Sequence, residues 1–134
     1  MTANITYGMV LAVAAGGALG ATARLLTVDM AARLFGYGFP WGTFTVNVLG
    51  SLVMGLLVGW MTMRWDAPQT LRVFLATGIL GGFTTFSAFA LDFAMLWENR
   101  QHLTALAYVA GSVLLSLAAV FAGLWLARAI WQGG

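Results

Sequence analysis

Charged and strongly polar residues in this chain fall into short clusters that separate four long apolar blocks. Tyr7 to Leu26 carries one charge, Arg24, near its far end; Trp41 to Met63 carries none; Val73 to Leu91 carries none before Asp92; Leu103 to Ala127 carries none. About 20 apolar residues span a hydrocarbon core of roughly 30 Å, so each block predicts a crossing. Helices are expected over about 5–27, 41–63, 71–97 and 102–130. Four crossings put both termini on one side. The connections are too short to hold a soluble domain, so residues 1–134 are expected to form a single all-α, multi-pass membrane domain.

The connections carry their own signals. Thr27–Pro40 contains Asp29, Arg33, a short apolar run and Gly36-Tyr37-Gly38-Phe39-Pro40, which reads as an interfacial half-helix and a turn before the next helix starts behind proline. Arg64–Gln69 and Glu98–His102 are short links. Trp41, Trp60, Trp65, Trp97, Trp125 and Trp131 stand near block ends, where indole rings prefer the membrane–water boundary.

Composition agrees: 61% of residues are hydrophobic and 7% charged, against about 25% charged in soluble domains. With no cysteine there is no disulfide, thiolate metal site or cysteine nucleophile. A net charge of +2, all from arginine on the basic side, is too small to suggest nucleic-acid binding. The start lacks a basic flank, so the first helix is expected to stay in the mature chain. Arg24, Arg33 and Arg100 fall on one side of the predicted topology and Arg64, Arg72 and Arg128 on the other, so positive charge favours neither orientation. Two explanations stand: other signals fix the topology, or chains insert both ways and pair antiparallel as an inverted repeat. Gly16 and Gly20, Gly55 and Gly59, and Ala107 and Gly111 sit four apart, a spacing that allows close helix contact within or between subunits.

The third block departs from a regular pattern at Gly78-Ile79-Leu80-Gly81-Gly82-Phe83-Thr84-Thr85-Phe86-Ser87-Ala88-Phe89. Each glycine weakens a helix by roughly 1 kcal/mol relative to alanine, and adjacent threonines offer side chains that replace lost backbone hydrogen bonds. A break near 81–85 is expected. Irregular backbone at that depth belongs where protein buries it or where it lines a polar cavity, and freed carbonyls there can coordinate a cation.

Here the sequence resembles the small CrcB/Fluc fluoride channels. The resemblance rests on Gly-Ala-x-x-Arg at Gly20–Arg24, Pro-x-Gly-Thr-x-x-x-Asn-x-x-Gly at Pro40–Gly50, Thr-Gly-x-x-Gly-Gly-x-Thr-Thr-Phe-Ser-x-Phe at Thr77–Phe89, and Tyr-x-x-x-Ser-x-x-x-Ser at Tyr108–Ser116. The third motif is long and specific, and the others follow in the right order. The resemblance implies an antiparallel, dual-topology homodimer in the cytoplasmic (inner) membrane. It further implies two fluoride pathways at the subunit interface, passive fluoride export, and a structural sodium ion at the dimer centre with no organic cofactor. On the matching residues, backbone carbonyls of Gly81 and Thr84 from both chains would hold the sodium. Asn47, Thr85, Phe86, Phe89, Tyr108, Ser112 and Ser116 would form the pathway.

The residue chemistry bears separately on these roles. Phe86 and Phe89 share a helix face, and the positive edges of aromatic rings can line an anion path without formal charge; a phenylalanine pair can equally face lipid. Asn47 lies deep in an apolar helix, so its amide needs a partner or a ligand, and helix-to-helix bonding is the alternative. Ser112 and Ser116 offer hydroxyl donors or bond back to their own helix, and the next position on the stripe, Val120, is apolar. Asp92, about two turns beyond the break, suits a vestibule or an ion pair with Arg24 or Arg100. Arg24 suits attraction of anions at a mouth or headgroup anchoring, and His102, at a loop edge, has no metal-binding company.

Hydroxyls, an amide and ring edges without deep cationic charge suit conduction by several weak contacts in a narrow pore. Two other classes stand beside the channel. A small multidrug exporter would need a carboxylate in its first helix, and residues 5–26 hold none; an assembly protein without transport activity leaves the break, the Asn and the hydroxyl stripe unexplained. The blocks hold no base, nucleophile or metal-ligand cluster of an enzyme.

Overall fold

The computed structural model describes residues 4–63 and 66–132; residues 1–3, Arg64, Trp65 and residues 133–134 lie outside them, and with them the charge and the indole read at the second connection. Among the described residues the chain is helix and turn, with no strand. Four helical stretches are long and apolar enough to cross a membrane: Tyr7–Phe35, Trp41–Met63, Gln69–Glu98 and His102–Gln132. Each buries less than a quarter of its most apolar stretch within the chain, so lipid or another protein must cover the rest.

Helix α1 (Tyr7–Phe35) starts at Thr6, whose hydroxyl accepts from the Met9 N–H at 3.2 Å. It ends at Gly36, whose φ of 82° suits a residue without a side chain. The interfacial half-helix expected after Thr27 is not separate, because Thr27–Phe35 continues α1. Asp29 and Arg33 pair across one turn at 2.8 Å there, and no helix breaker intervenes before Gly36.

Helices α2 (Trp41–Met63) and α6 (His102–Gln132) form the closest pair. A Cβ on Gly55 would strike the Val120 carbonyl oxygen, one on Gly59 would strike Ala127, and one on Gly123 would strike the Leu52 carbonyl oxygen. Contacts advance in the same sense along both chains, so the two helices run parallel. On the other side, a Cβ on Gly16 would lie 2.6 Å from the Phe74 carbonyl oxygen, and one on Gly20 would strike the Ile79 carbonyl oxygen. Both glycine pairs therefore serve packing within the subunit: Gly16, Gly20 and Gly55 face opposing backbone and Gly59 faces the Ala127 side chain, and none leaves room for a methyl group.

The third stretch is composite. A turn of α-helix, α3 (Gln69–Arg72), widens into a π-helical segment, Val73–Leu80, and a last turn, α4 (Gly81–Phe83), follows. Thr84 (φ −85°, ψ 159°) and Thr85 (φ −153°, ψ 124°) are extended, and α5 (Phe86–Glu98) begins after them. Gly81 and Gly82, which drew attention in the sequence, are themselves helical; the extended residues are the two threonines. The π segment is where the chain approaches Gly16 and Gly20 of α1.

Candidate functional site

The extended pair at Thr84-Thr85 is held from α2. Asn47 Nδ2 donates to the Thr85 carbonyl at 2.9 Å, and the Thr85 N–H donates to Asn47 Oδ1 at 2.7 Å. The amide thereby replaces two backbone bonds that a continuous helix would have made, and one of its two N–H donors is left over. Thr85 also caps α5, its hydroxyl accepting from the Ala88 N–H at 3.1 Å.

These bonds decide the state of the carbonyls upstream. In an α-helix the Gly81 carbonyl would accept from the Thr85 N–H and the Thr84 carbonyl from the Ala88 N–H. The first donor is turned to Asn47 and the second to the Thr85 hydroxyl. The Gly82 carbonyl accepts instead from Arg24 Nε at 3.1 Å. Arg24, read from sequence as a mouth or anchor residue, reaches the irregular segment itself.

A groove of about 400 Å³ opens beside this segment. Asn47 and Ser51 of α2, the Thr84-Thr85 pair, Phe86 and Phe89 of α5, and Ser112 and Ser116 of α6 all line it. The Phe86 and Phe89 rings lie 5.7 Å apart, tilted by 49°, and Phe86 is 80% exposed. The Ser112 hydroxyl is buried without a hydrogen-bond partner, which marks it as a donor with something still to bind. Val120 lines the same groove, so the stripe does turn apolar beyond Ser116.

Tyr108 is fully buried at the end of this stripe. Its ring meets Phe89 at 5.2 Å and Phe39 edge-on at 5.4 Å, and its hydroxyl donates to Asp92 Oδ2 at 3.0 Å. Thr43 of α2 stands at the same hydroxyl. Asp92 thus takes a tyrosine as its partner; among the described residues neither Arg24 nor Arg100 pairs with it. Asp92 and Thr43 face a second cleft of about 390 Å³ beyond Tyr108, between the α1–α2 turn and the end of α5. His102 stacks on Trp97 at 4.1 Å, and the described residues contain no cluster of three His, Asp or Glu side chains able to hold a metal.

Sequence reasoning passed over Thr43 and Ser51. The signal was available: Thr43, Asn47 and Ser51 are four apart on α2, the spacing of Tyr108, Ser112 and Ser116 on α6. Two polar stripes of equal period face each other from parallel helices.

Residues 11–124 match the family described as CrcB-like protein, Camphor Resistance (CrcB). A protein of Chelativorans sp. (strain BNC1) is 56% identical over 115 residues, covering 86% of this chain and 92% of its own. A protein of Caulobacter sp. (strain K31) is 53% identical over 123 residues, 91% of this chain and 96% of its own. One of Nitrobacter winogradskyi is 49% identical over 124 residues, 92% and 98% respectively. All three bear the name Fluoride-specific ion channel FluC. With the match running through every membrane-crossing stretch, the chain belongs to the CrcB-like family.

Proposed function

We propose that this protein is a fluoride-selective channel of the cytoplasmic membrane, built as an antiparallel homodimer, through which fluoride leaves the cell passively. The observation that carries the reading is the groove. It gathers a spare amide donor at Asn47, an unpartnered buried hydroxyl at Ser112, a further hydroxyl at Ser116 and the Phe86–Phe89 pair, with no formal charge among them. The names of relatives at about half identity support fluoride as the ion.

Fluoride gives up its hydration only to close donors, and a cationic side chain in the path would retain it. Hydroxyl and amide donors offer contacts that are individually weak and exchange readily. Ring edges add positive potential without basicity. The exposure of Phe86 fits this reading if a second subunit closes the groove. With Arg24 engaged at the Gly82 carbonyl, Arg33 and Arg100 stand against Arg64, Arg72 and Arg128, a near balance that supports insertion in both orientations, and an antiparallel pair turns one groove per subunit into two equivalent pathways.

The donor set fits a central sodium ion. The carbonyls of Gly81 and Thr84 have lost their helical donors, and neutral oxygens suit a hard monovalent cation. Bound between two subunits, such an ion would neutralise converging carbonyl dipoles and hold the two irregular segments together. Arg24 stabilises the same segment from within the chain through the Gly82 carbonyl.

Purified protein in liposomes tests the function. Rapid fluoride efflux with little chloride efflux is the expected result. Drug-dependent proton flux would favour an exporter, and silence in both assays would favour an assembly protein.

A further inference from the structure

The polar stripe of α6 stops too early. Tyr108, Ser112 and Ser116 are followed, one turn on, by Val120, yet Val120 still lines the groove. A permeating anion that leaves Ser116 would meet an apolar wall on that helix.

The register of α2 against α6 shows what stands opposite. Thr43 lies at the Tyr108 hydroxyl, and Gly55 abuts the Val120 carbonyl and Gly123. Because the helices run parallel, Ser51, one turn before Gly55, falls at the level between Ser116 and Val120. It lines the groove there together with Met54 and Leu117, both apolar. Its hydroxyl is therefore the polar group that α2 offers where α6 offers none. We infer that Ser51 is a pathway residue, supplying from α2 the hydroxyl contact that Val120 cannot supply from α6.

Its present hydrogen bond suits that work. Ser51 Oγ donates to the Asn47 carbonyl at 2.7 Å, a bond back to its own helix. That carbonyl already has its regular helical donor in the Ser51 N–H, so turning the hydroxyl away strands no backbone group. The proton can swing to a fluoride ion and return once the ion has passed. Ser112, by contrast, has no such resting partner. The two hydroxyls would act in sequence, one always open and one released on demand.

This inference rests on the fluoride-channel reading, and the test keeps the two apart. Fluoride efflux is measured from liposomes holding wild-type protein, Ser51→Ala, Ser51→Cys, Ser51→Thr, and Ser51→Ala combined with Val120→Ser, with dimer elution and thermal melting as folding controls. Loss of one ordinary hydrogen-bond donor predicts a fall of about fivefold for Ser51→Ala. Ser51→Cys, of nearly the same size and a poor donor, should fall similarly. Ser51→Thr keeps the hydroxyl and should stay near wild type, and Val120→Ser should restore most of the flux lost in Ser51→Ala by placing a hydroxyl on the opposite wall. Wild-type efflux from Ser51→Ala and Ser51→Cys overturns the inference, and so does a loss that neither Thr nor Val120→Ser repairs, because that marks a packing role. A wild-type protein that passes no fluoride sinks the channel reading instead.

Discussion

Asn47 and Thr85, 38 positions apart in sequence, exchange two hydrogen bonds, the amide donating to the Thr85 carbonyl and accepting from its N–H. The pair ties the middle of α2 to the segment where helical backbone lapses. Asn47→Ala strands both backbone groups, at a cost of about 1–3 kcal/mol for each one left without a partner, and removes a donor from the groove. Fluoride efflux and the melting temperature in detergent should both fall while the dimer still forms. Unchanged values in both measurements would show that the amide neither holds the segment nor serves the ion.

Phe86 and Phe89 present one face to the groove, and Phe89 continues the contact to Tyr108. Phe86→Ile keeps an apolar side chain but loses the ring edge, whose worth in aromatic contacts is about 0.5–1.5 kcal/mol. Efflux should drop several-fold with dimer elution unchanged. Wild-type flux would reassign this exposed ring to lipid or to subunit packing.

The sodium ion proposed above would be held by main-chain oxygens, with no carboxylate to mutate, so its test is removal of the ion. The Gly81 and Thr84 carbonyls, deprived of helical donors, should depend on sodium for compensation. Replacing Na⁺ by a large organic cation on both faces during reconstitution should slow fluoride efflux and loosen the dimer. Identical rates in both salts would leave those carbonyls to water.

Legibility in the sequence followed the range of the interaction concerned. The four crossings could be read because apolar block length is a local property and lipid rewards it directly. Thr27–Phe35 was misread as a separate half-helix because its charges look interfacial, whereas Asp29 and Arg33 pair across one helical turn and prolong α1. The π segment gave no sign before Gly78, since Val73–Thr77 reads as ordinary apolar helix, and its widening accompanies backbone contact with Gly16 and Gly20 of another helix. The need of Asn47 for a partner was clear from its burial in an apolar block; that Thr85 is the partner depends on how α2 lies against the third stretch. Asp92 could be flagged as costly, but its tyrosine lies on α6, and pairing rules based on charge alone point to arginine.

Two neighbouring glycines of α1 separate the needs of packing from those of helix formation. A Cβ added at Gly20 meets the Ile79 carbonyl oxygen and comes within 2.9 Å of the Phe83 backbone nitrogen, whereas one added at Gly17 meets nothing within 4 Å. Alanine at either site relieves glycine's helix penalty of roughly 1 kcal/mol. At Gly20 the gain is overtaken by overpacking, about 1–3 kcal/mol where side chains can shift, and here the opposing atoms belong to backbone. Gly20→Ala should therefore melt well below wild type and lose fluoride flux, because the displaced chain leads directly into Thr84-Thr85. Gly17→Ala should melt at or above wild type. If Gly20→Ala proved as stable as Gly17→Ala, the close approach of α1 to the π segment would be wrong, and with it the wall against which the irregular segment is held.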